Sequence, residues 1–151
     1  MIKPGDVFSI EVRGGKAYFQ FINKNKTMSS LIRVLPGIHE QSSGDISDIA
    51  IQPTRFWTFF PVAESLKASV IQKEGNYPIP VHAQKMPLFR TGVVNPETKR
   101  VETWWLWDGE KSWKAGNLTD DQRRLPIRGN WNDTLLKERI EQGWLPELDP
   151  R

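Results

Sequence analysis

The side chains that could support catalysis are few, and their spacing matches no catalytic motif. His39 and His82 lie far apart in the chain, and neither belongs to a ligand or general-base motif such as HExxH. Asp45 and Asp48, spaced i,i+3, could form a carboxylate pair, although Asp, Ser and Gly in one short segment are also typical of turns. Cysteine is missing, which excludes disulfides, thiolate chemistry and most zinc sites. The sequence therefore predicts no catalytic residue, no metal site and no cofactor.

Tryptophan is the residue type whose distribution favours binding. Six of the seven tryptophans lie between residues 104 and 144, and four fall at 104–113 among acidic side chains. Successive side chains of a strand point to opposite faces, so these four cannot all face one core. An exposed tryptophan rimmed by charge is typical of an interaction hot spot, whereas a sheet covered on both faces is the alternative. The candidate partner-binding residues are Asp45, Asp48, Trp57, Trp104, Trp107, Asp108, Glu110 and Trp113.

Length, apolar runs and charge limit the classes of protein to which this chain can belong. The 151 residues suit a single domain, 1–151, with a core of ordinary size. The longest apolar runs are only a few residues, too short to cross a bilayer, and the first four residues lack the apolar region of a signal peptide. We therefore expect a cytoplasmic protein with no membrane partner. The formal charge of +3 comes from 21 basic and 18 acidic side chains spread evenly along the chain, which makes nucleic acid an unlikely partner.

The N-terminal half of the chain, which carries Asp45, Asp48 and Trp57, is predicted to consist mainly of strands. Phe8, Ile10 and Val12 alternate with polar residues, as a half-buried strand requires, and Gly14-Gly15 predicts a tight hairpin turn. The predicted strands in this half cover residues 7–12, 16–22, 31–35, 55–60 and 69–71. The first three form an antiparallel meander. The Ser-, Gly- and Asp-rich residues 36–55 predict a long loop with one helical turn near 46–50.

The second half of the chain begins with a hairpin and ends with a helix. Strands over 88–94 and 100–107 flank a polar turn, and Asp108-Gly109 precedes a short strand over 111–114. Thr119 and Gln122 match a capping box. Farther along, Asn132 caps a helix over 133–142 and Gly143 ends it. Leu136 and Ile140 form the stripe that packs on the sheet. The predicted fold belongs to the α+β class and is β-rich. It consists of an antiparallel meander and hairpins, which could close into a barrel, and one C-terminal helix that packs on the sheet.

Several of these segments together resemble the immunity protein 26 family of bacterial polymorphic-toxin systems. The resemblance covers residues 3–92 and is carried by the opening strand 4–10, the Gly14-Gly15 turn, the strand 31–35 and the aromatic run 56–61. Members of this family are implied to be cytosolic proteins that bind a cognate toxin domain and block it. The tryptophan-rich residues 104–144 lie outside the resemblance, and it implies no catalytic residues.

The sequence thus leads to a hypothesis of function with two alternatives. We expect an immunity protein, not an enzyme, that contacts a toxin through the loop 40–57 and the hairpin 104–113, with tryptophans as anchors and acidic side chains at the rim. A nucleic-acid-binding β-rich module is the first alternative, because aromatic side chains and scattered arginines can contact bases and phosphates. An enzyme whose histidines and aspartates meet only in space is the second.

Overall fold

The protein is α+β, as the sequence predicts. The computed structural model describes residues 1–40 and 44–151. The elements are β1 (Asp6–Val12), β2 (Gly15–Lys24), β3 (Ser30–Val34), α1 (Ile46–Ala50), β4 (Phe56–Phe60), α2 (Val62–Lys67), β5 (Ile71–Asn76), β6 (Phe89–Thr91), β7 (Trp104–Trp107), β8 (Ser112–Gly116), α3 (Asp120–Arg123) and α4 (Asp133–Glu141). Of the helices in these ranges, none has the length and apolar character needed to cross a bilayer.

The residues group into two compact units. Unit 1 contains Met1–Lys85 and Gly129–Gly143, and unit 2 contains Met86–Arg128 and Trp144–Arg151. Each unit has its own antiparallel sheet, of five strands in unit 1 and three in unit 2. The single domain expected from chain length stays a prediction.

The sheet of unit 1 contains the predicted meander. Its strand order is β4-β3-β2-β1-β5, so β1, β2 and β3 are neighbours in space as they are along the chain. Val12 pairs with Gly15, which places the hairpin turn at Arg13-Gly14, one residue before the predicted Gly14-Gly15. Gly15 is required for packing, because a Cβ there would collide with the carbonyl of His39. β4 and β5 form the two edges, and the sheet is open.

Both faces of this sheet carry buried side chains. On one face Phe19 contacts Phe8 and Phe60, with ring centroids 5.5 Å apart in each pair. On the other face Val7, Tyr18 and Leu35 pack with Ile49 and Ala50 of α1. The short helix expected near 46–50 therefore exists, and it is held by apolar burial on the sheet, since five residues cannot form a stable helix alone.

A buried arginine ties the chain after α1 to the sheet. The Arg33 side chain is fully buried and donates to Oε1 of Gln20 at 2.7 Å, to the Gln52 carbonyl at 3.1 Å, to the Thr54 hydroxyl at 3.2 Å and to the Ala50 carbonyl. Burial lowers the pKa of this guanidinium to about 10. Because its acceptors lie on both the sheet and the loop, Arg33 fixes residues 50–54 against β2 and β3.

The caps predicted for the C-terminal helix, α4, are present. Asn132 caps α4 by accepting from the Leu135 amide at 2.8 Å, and Gly143 follows the helix with φ +68°. Leu136 is fully buried, whereas Ile140 is only half-buried, so the predicted stripe is narrower than expected.

Residues 62–67 form a helix, α2, that the sequence did not predict. The strand expected from residue 69 begins at Ile71, because Ser69 has φ +60° at the end of α2.

The sheet of unit 2 has β7 between β6 and β8. β6 and β7 pair as the predicted hairpin, with shorter strands, and Val94 and Val101 form an isolated bridge nearer the turn. β6 is also flanked by residues 126–128, because the Arg90 amide donates to the Pro126 carbonyl at 2.8 Å and the Arg128 amide donates to the Arg90 carbonyl at 2.9 Å. β8 is an edge strand of this sheet. The predicted capping box of Thr119 and Gln122 is present at the start of α3.

Candidate protein-binding site

Strand register places the two most exposed tryptophans of unit 2 on opposite faces of its sheet. Trp105 pairs with Thr91 and Lys114, whereas Trp113 pairs with Leu106. Paired residues of antiparallel strands point to the same face, and neighbours along a strand point to opposite faces. Trp105 and Trp113 are 40% and 42% exposed. They therefore belong to two separate surfaces of the sheet.

Two other tryptophans of β7 are buried under arginines of the same unit. Trp104 and Trp107 are each 4% exposed. The Arg90 guanidinium carbon lies 4.4 Å from the centroid of the Trp104 ring, and that of Arg128 lies 4.5 Å from the Trp107 ring. Phe89 also meets Trp107 edge to face, with centroids 5.8 Å apart. These two predicted partner-binding residues offer little surface to a partner.

The Trp105 face opens into a cavity of about 550 Å³. Its lining comes from the end of β6, the turn after it and the start of β7: Thr91, Gly92, Val93, Val94, Asn95, Pro96, Glu102, Thr103 and Trp105. Val93 is 88% exposed and lies beside Val94 and Trp105, so the apolar groups at the cavity meet water. Exposed apolar side chains gathered in one place are typical of a binding surface. We call this feature the Trp105 cavity.

The polar side of the Trp105 cavity consists of Asn95 and Glu102. The Asn95 side-chain amide donates to Oε1 of Glu102 at 3.1 Å. The Asn95 carbonyl oxygen Oδ1 accepts from the amides of Glu97 at 2.8 Å and Thr98 at 3.3 Å, which fixes the Asn95 side chain in its turn. These backbone hydrogen bonds fix the position of Asn95, and Asn95 then orients the carboxylate of Glu102.

Asp108, one of the two acidic residues predicted near the second hairpin, accepts hydrogen bonds within the turn between β7 and β8. Oδ1 of Asp108 accepts from the amides of Lys111 at 2.8 Å and Glu110 at 2.9 Å. These hydrogen bonds, that of Lys111 foremost, hold the pKa of the Asp108 carboxyl below its usual value. Asp108, Glu110 and Trp113 are all exposed. They remain accessible to a partner, although Asp108 already has a structural role.

The predicted contact loop 40–57 forms a second cavity, of about 360 Å³, in unit 1. Asp45 and Asp48 line it together with His39, whereas Trp57 lies elsewhere, half-buried on β4. Asp45 caps α1 by accepting from the Ser47 amide at 3.0 Å and from its hydroxyl at 2.7 Å, which lowers the pKa of the Asp45 carboxyl. Residues 41–43 of this loop lie outside the described residues.

The titratable groups at this second cavity do not form a metal centre. Nε2 of His39 lies 3.1 Å from the Pro36 carbonyl, so this nitrogen is engaged by the backbone. Within residues 1–40 and 44–151, no group of three or more His, Cys, Asp or Glu side chains is placed to hold a metal ion. His82, the other histidine, is exposed on a short 3₁₀ helix, Val81–Ala83.

Sequence reasoning missed the residues that define the Trp105 cavity. Trp105, Val93 and Glu102 were not among the candidate residues, although the first lies within the predicted hairpin. The valine pair before the Asn-Pro turn gave no signal of exposure, because β-branched residues in a predicted strand are normally packed. Which tryptophan of β7 is covered depends on Arg90 and Arg128, and this could not be seen from spacing.

Models of known protein families, curated proteins and solved structures were compared with the chain, and none matches it. The similarity to the immunity protein 26 family therefore depends on the sequence motifs alone.

Proposed function

We propose that this protein is an immunity protein that acts in the cytoplasm by binding a bacterial toxin domain and blocking it. The observation that carries the proposal is the Trp105 cavity, where Trp105 and Val93 are left in water beside the Glu102 carboxylate. A partner that covers these side chains gains the free energy of burying apolar surface, about 25 cal/mol per Å². Tryptophan anchors surrounded by a polar rim dominate the energy of protein interfaces.

A binding role accounts for the titratable groups better than a catalytic one. Of the suggested carboxylate pair Asp45 and Asp48, Asp45 caps α1, and Asp108, a predicted partner-binding residue, accepts two amides in the turn before β8. These hydrogen bonds explain the two aspartates as parts of local structure, whereas a general base must also lie within hydrogen-bond reach of a substrate proton. By contrast, Val93 and Trp105 expose apolar surface at the cavity that a partner could bury.

Nucleic-acid binding is the alternative, and one observation favours it. Trp113 is exposed on β8, and a nucleic-acid base could stack on its ring. However, Trp105 and Trp113 lie on opposite faces, so they do not form one stacking platform. Binding of single-stranded oligonucleotides that weakens steeply with salt would support this alternative.

Protection of cells against a toxin is the test of the proposed function. The proposal expects a toxin domain to be encoded beside this chain's gene; that domain is expressed with and without the protein, and growth is measured. We expect wild-type protein to restore growth. Trp105→Ala should reduce protection more than Trp113→Ala, which truncates a similarly exposed tryptophan on the opposite face. Unchanged toxicity in the presence of soluble wild-type protein would refute the proposal.

A further inference from the structure

The Trp105 cavity combines an aromatic face with a carboxylate that lacks a cation. Glu102 is exposed, and its only contact in the described chain is the 3.1 Å hydrogen bond from Asn95. The ion pairs found among the described residues involve other carboxylates, those of Asp6, Asp121 and Asp149. Glu102 therefore presents negative charge at the wall of a cavity whose other walls are largely apolar.

Two neighbouring tryptophans of the same strand already stack against guanidinium groups. Trp104 and Trp107 each carry an arginine guanidinium within 4.5 Å of the ring centroid. Trp105 lies between them on β7. Its cross-strand neighbour Lys114 is exposed and shares its face, but within residues 1–40 and 44–151 no cation stacks on the Trp105 ring. A tryptophan ring attracts cations through its negative face, and the planar guanidinium also stacks on it.

We infer that the Trp105 cavity binds an arginine side chain of the toxin domain, with the guanidinium stacked on Trp105 and paired with Glu102. This inference rests on the proposed function. The aliphatic stem of the arginine lies along Val93 and Val94, which are exposed and would be covered by it. Charge complementarity decides the class of side chain, because an acidic or neutral residue would leave Glu102 without a partner.

Arginine fits this cavity better than lysine. The guanidinium is a planar fork that can face an indole ring while its edge donates to a carboxylate, whereas an ammonium is a compact and strongly hydrated point charge. Asn95 holds one oxygen of Glu102, which orients the carboxylate before the partner arrives. A pre-oriented acceptor lowers the entropy lost on binding.

The test uses the full chain and blocked peptides, so it does not require the toxin. Acetyl-Gly-Arg-Gly-amide is titrated into ¹⁵N-labelled protein, and the indole Nε1–H resonance of Trp105, assigned with Trp105→Phe, is followed by NMR. Peptides with lysine and with citrulline, the neutral isostere of arginine, are titrated in the same way. We expect saturable shifts at Trp105 and affinity about 3- to 30-fold higher for arginine than for citrulline, with lysine weaker than arginine.

Two variants separate the carboxylate from general effects of charge. Glu102→Gln keeps the shape and should weaken arginine binding about 1.5- to 5-fold while leaving citrulline unchanged. Glu97→Gln removes an exposed carboxylate of the same turn and should leave both affinities unchanged. The spectra of both variants check that the fold is intact.

Equal binding of arginine and citrulline, tighter binding of lysine than of arginine, or no effect of Glu102→Gln would overturn the inference. If the peptides fail to bind while wild-type protein still protects cells from the toxin, the inference is wrong and the proposed function stands. If the arginine peptide binds as expected and no protection is found, the cavity recognises arginine in another context.

Discussion

Asp149 provides a measurable test of the electrostatics of unit 2. This carboxylate is 2% exposed and accepts from Nε of Arg151 at 2.8 Å, from Nη2 of Arg151 at 2.9 Å and from the Trp144 indole at 3.2 Å. Burial alone would raise the pKa of the Asp149 carboxyl, but its hydrogen bonds and the charge of Arg151 lower it to about 2. The folded protein therefore prefers the ionised form more strongly than the unfolded chain does.

The magnitude follows from the pKa difference. A lowering from the ordinary 3.8 to about 2 is worth about 2 kcal/mol, at about 1.4 kcal/mol per pKa unit. Because the folded pKa is the lower one, this stabilisation is fully present above about pH 4 and is lost as the pH falls towards 2. Asp149→Asn should lower the free energy of unfolding by about 2 kcal/mol at pH 7 and by only a small fraction of that at pH 2.

Urea unfolding at a series of pH values measures this difference. Tryptophan fluorescence is a suitable signal, because five of the seven tryptophans belong to unit 2. Asp121→Asn is the matched control, since Asp121 also pairs with an arginine, Arg124, at 3.3 Å, but its side chain is 93% exposed. We expect the control to change stability little at any pH. A difference between wild type and Asp149→Asn that stays constant from pH 7 to pH 2 would refute the reasoning.

Three further predictions concern unit 1 and are checked by urea or thermal unfolding. Leu136→Ala should cost about 2–5 kcal/mol because Leu136 is fully buried, and Ile140→Ala should cost about half as much because its side chain is half-exposed; equal losses would contradict this. Ser69→Gly should stabilise the protein by about 1 kcal/mol by relieving a φ of +60°, and destabilisation would show that the serine side chain matters. Arg33→Met should cost about 2–6 kcal/mol, because two buried acceptors lose their donor, whereas Arg13→Met at an exposed site should be nearly neutral.

Local chemistry in the sequence was enough to predict most elements of the fold. Alternation of apolar side chains predicted β1, β2 and β3, and the Thr119 and Asn132 caps predicted where α3 and α4 begin, because these signals involve residues only a few positions apart. α2 was missed because Pro61 reads equally as the end of β4 and as the start of a helix. The role of Arg33 was also missed, since its acceptors come from two segments distant in sequence, Gln20 and residues 50–54.

The candidate site was predicted at the level of the segment but not of the residue. Both contact segments, 40–57 and 104–113, line or adjoin a cavity. Within the second, however, the residue that opens to a cavity is Trp105, while Trp104 and Trp107 are covered. Strand alternation correctly required the tryptophans to divide between two faces, but it could not say which positions on each face would be covered.

The sequence by itself determined the class of fold, the main strands, the helix caps and the concentration of tryptophan in the second half of the chain. These properties follow from side-chain periodicity and from hydrogen bonds between near neighbours, which the order of residues specifies directly. Only the tertiary structure decided that Arg90 and Arg128 cover two tryptophans of β7 and leave Trp105 open beside Glu102. Burial and ring stacking depend on segments distant in sequence, so they become visible only when the chain is folded.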